Sequence, residues 1–376
     1  MFPCLRLDLK SLICIFIIFA GFSVQCHAVQ REVSIREGES ANKDIIKKAI
    51  PVGSNGIPIS SRQLNVSTSY YKTSNNYLNL TSISYLLSAM GRDSLPPDDL
   101  GNLINLKNFS FLMNQEPCRS TTHDSPLVLI LVHSAADNYM KRLLIRETWG
   151  SFKSPYTRLV FLLGAVNSTK TQHRLEFENK MFSDLVQGSF VDAYANMTYK
   201  HVMALKWFTY YCSNVKFILK IDDDVFVNTP YLIDFLNRRA PQQNLLFCQK
   251  QVDSRVKRTY RSKWRVSKKE YPGRYYPPYC PGYAILYSPD VAFRLYLRAQ
   301  KIPYFWIDDV HITGTLAQQE NITITPSSPY LLDNDSCKYI LSGKTDKNSF
   351  LFLFTWPDIP EEQARKLLLP PLSFIE

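Results

Sequence analysis

The chain has 376 residues, 45% of them hydrophobic, enough for one sizeable core and, once a lead-in segment is set aside, roughly one large domain. Its 44 Lys and Arg outnumber 33 Asp and Glu, a formal net charge of +11. Such a surface suits anionic membranes, glycans and nucleotide diphosphates as well as nucleic acid, so charge alone selects no partner.

Ser11 to Val24 (SLICIFIIFAGFSV) is an apolar run behind the cations Arg6 and Lys10. It reads as a secretory entry signal and argues against a cytosolic function. The run is short for a bilayer span, and Cys26-His27-Ala28 offers a cleavage site. Residues 1–28 are therefore either a cytoplasmic tail and signal anchor, suited to a thin early secretory membrane, or a removed signal peptide. Seven Asn-x-Ser/Thr acceptor triplets follow, at Asn65, Asn79, Asn108, Asn167, Asn196, Asn321 and Asn334, and together they fit a luminal chain, which does not meet nucleic acid. Cys118, Cys212, Cys248, Cys280 and Cys337 lie in the same luminal body, where disulfides form. Five is odd, so at least one stays free, pairs with Cys26 or bonds another chain; spacing does not reveal the connectivity. Residues 29–115, rich in Ser, Asn and Lys and without a sustained apolar period, read as a luminal stem, with a small helical subdomain around Ile83 to Met90 as the alternative.

From residue 116 to 376 the texture alternates strand and helix signals, which predicts an α/β, Rossmann-like domain with a mostly parallel central sheet. Leu127 to His133 (LVLILVH) and Arg158 to Gly164 (RLVFLLG) are continuous apolar runs of the kind doubly covered strands need. Tyr139 to Glu147 and Tyr199 to Tyr211 read as helices, the second with Val202, Leu205 and Phe208 on one side. Val215 to Ile221 alternates as a strand and runs into Asp222-Asp223-Asp224; Thr229 then suits a helix cap and Pro230 the first helical position. A strand that delivers acids to its carboxyl end points to the crevice where open α/β sheets bind ligands.

Carboxylates are hard ligands suited to Mn²⁺ or Mg²⁺, which typically bridge protein acids to substrate phosphates. Residues two apart on a strand share a face, so Asp222 and Asp224 are the metal candidates, pointing into one cleft, and Asp223 is expected to face away. The ion's role would be to neutralise a departing diphosphate. A solvated acidic loop or a helix cap is the alternative for such a triplet.

At these residues the chain resembles the β1,3-glycosyltransferases of glycosyltransferase family 31, the galactosyl- and N-acetylglucosaminyl-transferring group, from about Glu116 to about Leu332. Arg142-Leu-Leu-Ile-Arg146-Glu-Thr-Trp149-Gly150 resembles the family's R-x-x-I-R-x-T-W-G, and Phe161-Leu-Leu-Gly164 its next strand. Glu178 through Asp184-Leu185, and Phe190-Val-Asp192-Ala-Tyr194-Ala-Asn196-Met-Thr198-Tyr-Lys200, are similar to its E-x-x-x-Y-x-D-I and F-x-D-S-Y-x-N-L-T-x-K. Lys220-Ile-Asp222-Asp223-Asp224-Val-Phe-Val-Asn228 resembles its metal motif. Lys263-Trp264, Tyr276-Pro-Pro-Tyr279-Cys280-Pro-Gly282 and Ile307-Asp308-Asp309-Val310-His-Ile-Thr-Gly314 follow in family order, the last like E-D-V-Y-x-x-G.

The resemblance implies an A-type nucleotide-sugar glycosyltransferase fold, a UDP-sugar donor, a glycan acceptor on glycoprotein or glycolipid, and a luminal domain anchored as a single-pass type II protein in the Golgi membrane. It implies a single-step inverting transfer with Asp309 as general base, and inversion independently needs one carboxylate near the acceptor hydroxyl. Asp308 is expected to orient rather than react. Arg142, Arg146, Asp192, Lys200 and Asp223 are candidates for the nucleotide side of the pocket, arginine because it matches diphosphate geometry; a buried ion pair tying strands together is the alternative for Arg146 and Asp192. Trp149, Trp264 and Trp306 are candidates to stack on sugars, with core packing as the alternative. The basic run from Lys250 to Arg274 reads as an acceptor loop over the cleft or as a solvated surface.

Three departures bear on the function. Asp308 stands where the family has Glu, Pro281-Gly282-Tyr283-Ala284 follow Cys280 in place of the family's small turn, and no histidine lies beyond Thr313 to serve as a carboxyl-terminal metal ligand. They leave open a second class of function, a transferase-like luminal binding or chaperone-like protein without turnover; retention of Asp222, Asp224 and Asp309 favours the enzyme. A two-carboxylate glycosidase fits less well, since it needs no metal motif.

Overall fold

The apolar run ending at His133 becomes the middle of a sheet. In the computed structural model, which describes residues 95–116, 118, 126–152, 156–343 and 351–367, eight strands form that sheet: β1 (Phe111–Met113), β2 (Val128–His133), β3 (Thr157–Ala165), β4 (Leu185–Val191), β5 (Phe217–Asp222), β6 (Leu246–Cys248), β7 (Ala284–Tyr287) and β8 (Ile324–Pro326). Their spatial order is β8-β6-β7-β5-β2-β3-β4-β1. Only β1 and β7 pair antiparallel with their neighbours. The helices are α1 (Tyr139–Glu147), α2 (Thr169–Phe182), α3 (Met197–Tyr211), α4 (Thr229–Arg238), α5 (Pro289–Ala299), α6 (Asn334–Leu341) and α7 (Glu361–Lys366), and a π-helical stretch, Val310–Leu316, continues into the short turn Ala317–Gln319.

Every residue of β2 is buried because both faces are covered. Leu129 and Leu131 join the core made with Val202, Leu205 and Phe208 of α3 and Leu295 of α5. Val128, Ile130 and Val132 join the opposite core with Ile145 of α1, Leu175 of α2 and Leu232 of α4. β5 begins at Phe217 and is likewise buried on both sides, so it does not show the one-sided alternation read from Val215 onward. Asn228, not Thr229, caps α4: its side chain accepts from the Tyr231 N–H at 3.4 Å, and Thr229 is the first helical residue.

From β2 the chain builds outward through β3 and β4, then α3 carries it back to β5 on the other side of β2. The strand order reverses there, and His133 pairs with Asp222 at the carboxyl ends of the two strands. Such a reversal opens a crevice.

Residues 95–115, read from the sequence as the end of the stem, pack into the body. β1 pairs with β4, Leu103 and Phe109 are buried, and Asp99 accepts from Lys206 Nζ (3.3 Å), the Tyr210 hydroxyl (2.7 Å) and Gln300 Nε2 (3.1 Å). Cys118 bonds Cys212 and Cys248 bonds Cys280, while Cys337 is free and buried. No helix among the described residues is long and apolar enough to cross a membrane. The Ser11 to Val24 run, Cys26, the triplets at Asn65 and Asn79, and the candidate helix at Ile83 to Met90 lie outside the described residues.

Candidate active site

The strand geometry that was to separate the acids stops at Asp222, the last residue of β5. Asp223 and Asp224 sit in the turn beyond it, and all three line one cavity of about 660 Å³ at the switch point. Asp223 therefore does not face away. It accepts from Ser134 Oγ (2.7 Å), Asn138 Nδ2 (2.8 Å) and Lys141 Nζ (3.3 Å), tying the turn to the loop after β2. Asp222 accepts from Lys220 Nζ at 2.6 Å, and the same ammonium donates to the Gly282 carbonyl.

Asp224 is the least satisfied of the three. Its Oδ1 is buried without a hydrogen-bond partner among the described residues, and burial, reinforced by Asp222, pushes its carboxyl up to about 6. An orphaned carboxylate oxygen beside a second acid suits a hard divalent cation. No group of three or more His, Cys, Asp or Glu among the described residues is arranged as a complete metal site, so Asp222 and Asp224 would need water or phosphate oxygens to complete the coordination.

Asp192 and Lys200 line the same cavity, bonded to each other at 2.7 Å. Lys200 also donates to the Ser134 carbonyl (2.6 Å), and Asp192 accepts from the Gly164 N–H (2.8 Å), so the pair clamps the ends of β2, β3 and β4. A Cβ at Gly164 would lie 2.8 Å from the Asp192 backbone, which is why only glycine fits there.

Both arginines are held in ion pairs, which for Arg146 is the alternative read from the sequence. Arg142 is fully buried, donates to Glu178 at 2.8 and 2.7 Å, and braces the loop after β2 through Ser134 Oγ and the Ala135 and Ala136 carbonyls. Arg146 donates to Asp184 and Glu178 and lies 4.0 Å over the Phe182 ring. Neither lines the cavity that holds the three acids. A buried guanidinium needs carboxylates around it, and α2 supplies Glu178 for both. A larger cavity of about 800 Å³ beside α1 and α2 contains none of Asp222, Asp224 or Asp309.

A second lobe of about 380 Å³ adjoins the first, sharing Tyr194 and Met197 as its wall. Asp308 and Asp309 line it, at the entry to the π-helical stretch, a geometry frequent at functional sites. Asp309 Oδ1 accepts from the Val310 N–H at 2.8 Å; burial, with Asp308 close by, pushes its carboxyl up to about 7. Asp308 is held low against the cost of burial by its 3.0 Å bond to His201 Nδ1. Trp264 and Trp306 face this lobe, with Trp264 Nε1 donating to the Tyr194 hydroxyl at 2.7 Å. Trp149 instead is core, 5% exposed. From the Lys250 to Arg274 run, Ser254, Arg255, Lys257 and Trp264 reach the lobe, while Arg258 holds the loop's shape by donating to the Val266, Tyr271 and Gly273 carbonyls.

The profile of the galactosyltransferase family matches residues 140–328, just over half of the chain, and that stretch carries every acid named in the two lobes. The chain belongs to this family. It is a hexosyltransferase of glycosyltransferase family 31. It is 30% identical over 252 residues to "Beta-1,3-galactosyltransferase 5" of Gorilla gorilla gorilla, covering 66% of this chain and 83% of that one. The Homo sapiens protein of that name is also 30% identical over 252 residues, covering 66% of this chain and 80% of its own. "Beta-1,3-galactosyltransferase 1" of Mus musculus is 32% identical over 213 residues, covering 56% of this chain and 65% of its own.

Several residues that shape the two lobes were not singled out in the sequence. Lys220 carried a usable signal, since it lies two before Asp222 on the same strand face. His201, Ser134, Asn138 and Lys141 carried none, because their partners are 82 to 107 residues away.

Proposed function

We propose that this transferase is an inverting, metal-assisted β1,3-galactosyltransferase that moves galactose from UDP-galactose to a hydroxyl of a glycan on glycoprotein or glycolipid. The observation that carries the reading is the lysine between the lobes. Lys220 bonds Asp222 of the first lobe, and a Cβ on Gly282 would lie 3.2 Å from Lys220 Nζ and 3.9 Å from Asp308 Oδ2 of the second. The acids suited to a nucleotide diphosphate and the acids suited to an attacking alcohol thus flank one ammonium.

Asp222 and Asp224 would hold Mn²⁺ or Mg²⁺, which when bound neutralises charge on the departing diphosphate. Asp192, bonded to β3 and α3, and Asp223, bonded to the loop after β2, fix the floor on which the nucleotide rests. Asp309 takes the proton of the acceptor hydroxyl as that oxygen attacks the anomeric carbon, and the bond to UDP breaks on the opposite face. Its carboxyl, raised to about 7, is matched to proton transfer near neutrality. Trp264 and Trp306 offer stacking faces to the acceptor. The printed names of the relatives support galactose as the sugar moved.

The reading places the domain in the Golgi lumen behind a type II anchor. Two disulfides and exposed acceptor asparagines at Asn108, Asn167, Asn321 and Asn334 support it. Asn196 is a poor acceptor, because its amide donates to the Val191 carbonyl (2.8 Å) and the Thr198 hydroxyl is buried against the Phe305 carbonyl (2.6 Å). The test is a donor-by-acceptor assay of the full chain with Mn²⁺ and NMR linkage analysis. A β1,3-galactosyl product is expected; turnover confined to another sugar or linkage would reject the assignment.

A further inference from the structure

His201 is fully buried in α3, with a partner on each ring nitrogen: Asp308 Oδ2 at 3.0 Å from Nδ1 and the Tyr287 hydroxyl at 2.9 Å from Nε2. A carboxylate only accepts, so Nδ1 carries the hydrogen and donates; Nε2 is then the acceptor of the Tyr287 hydroxyl. Burial, with Lys220 nearby, disfavours the imidazolium form against the pull of Asp308, so the ring is a neutral, oriented dipole. We propose that His201 is a positioning residue that decides which of two adjacent acids carries the negative charge, leaving Asp308 ionised and the proton to Asp309.

The surroundings single out His201 for this role. Lys220 of β5 lowers both carboxyls, and Asp222 interacts with Asp308 as well as with Asp309, so neither group faces one acid alone. His311, in the π-helical stretch, is kept neutral by burial, its pKa lowered to about 4; burial does the same to His133 of β2. Tyr194, Tyr276 and Tyr279, across the lobe, sense Asp309 but are themselves raised and uncharged. His201 bonds Asp308 and not Asp309. With the charge held on Asp308, Asp309 is the carboxyl of the pair that gains and loses a proton near neutrality.

The inference rests on Asp309 being the base, and the test separates the two claims. The full chain is assayed with UDP-galactose and a β-linked aryl glycoside across pH. In His201→Phe the acid limb of kcat/KM is expected to move down by about one pH unit, because Asp308 loses its donor and surrenders the charge to Asp309. His201→Asn, whose amide N–H can replace Nδ1, is expected to hold the limb near its wild-type position. An unmoved limb in His201→Phe, in a background where Asp309→Asn is inactive, overturns this inference while leaving the base assignment standing. Turnover by Asp309→Asn overturns the base assignment instead. Should His201→Phe not fold, ¹⁵N-histidine NMR of the wild-type chain decides: a protonated Nδ1 and bare Nε2 from about pH 6 to about pH 8 is expected, and the opposite tautomer or an imidazolium refutes it.

Discussion

Replacing Asp309 with Asn keeps the side chain's shape and removes the proton acceptor. Loss of a positioned base costs roughly 10²- to 10⁴-fold in kcat/KM, about 3 to 5 kcal/mol of transition-state stabilisation. In the wild type, activity should rise with pH through about 7, where burial and Asp308 place the Asp309 carboxyl. Stability should run the other way. The folded carboxyl titrates at about 7 against about 3.9 in the unfolded chain, so the native state holds the proton more tightly. Its contribution to stability is complete below about pH 3.9 and is lost as pH rises through about 7, by at most about 4 kcal/mol (roughly three units at about 1.4 kcal/mol each). Asn cannot ionise, so the variant should melt close to the wild type near pH 4 and above it near pH 8. The assay pairs pH profiles of kcat/KM with thermal unfolding at both pH values. A variant within tenfold of wild-type turnover, or a melting difference that does not grow with pH, would refute the reasoning.

Arg142→Met leaves buried Glu178 without its one fully buried cation and should cost about 3 to 5 kcal/mol of stability, with donor KM little changed in whatever folds; a variant of normal stability with weakened donor binding would return Arg142 to the nucleotide site. UDP with Mn²⁺ at about a hundred times its Kd should stabilise the chain by about 2.7 kcal/mol, and Asp224→Asn should remove most of that shift in differential scanning fluorimetry. An equal shift in both proteins would remove Asp224 from the site. Opening the Cys248–Cys280 bond by a double Ser substitution frees two positions 32 residues apart and should cost about 4 kcal/mol; an unchanged denaturation midpoint would contradict it.

How much of this was readable beforehand follows the range of the interactions. β2, β3 and α1 were legible almost to the residue because apolar runs and helical periods are local signals. The acids of the first lobe were legible for the same reason, since strand, triplet and helix are contiguous. Asp223 was misjudged because a two-residue period holds only while the strand lasts, and β5 ends at Asp222. For the arginines of α1 the sequence offered a nucleotide role, with a buried ion pair as the alternative for Arg146; their partners, Glu178 and Asp184, lie 32 to 38 residues away, where no local pattern reports them. Asp99 shows the same blindness in the segment read as stem: its neighbours look unstructured, yet it meets Lys206, Tyr210 and Gln300 across the core. The disulfide pairing, too, is a property of the folded sheet and not of cysteine spacing.

The central claim is that one cleft sets the leaving diphosphate against Asp222 and Asp224 and the attacking hydroxyl against Asp309. A crystal structure of the full chain with UDP, Mn²⁺ and an acceptor glycan reads this directly. The expected result is an anomalous manganese peak in contact with Asp222 or Asp224 and with the diphosphate, and an acceptor hydroxyl within hydrogen-bond reach of Asp309. A diphosphate seated against Arg142 and Arg146, or an acceptor bound away from Asp309, would contradict it.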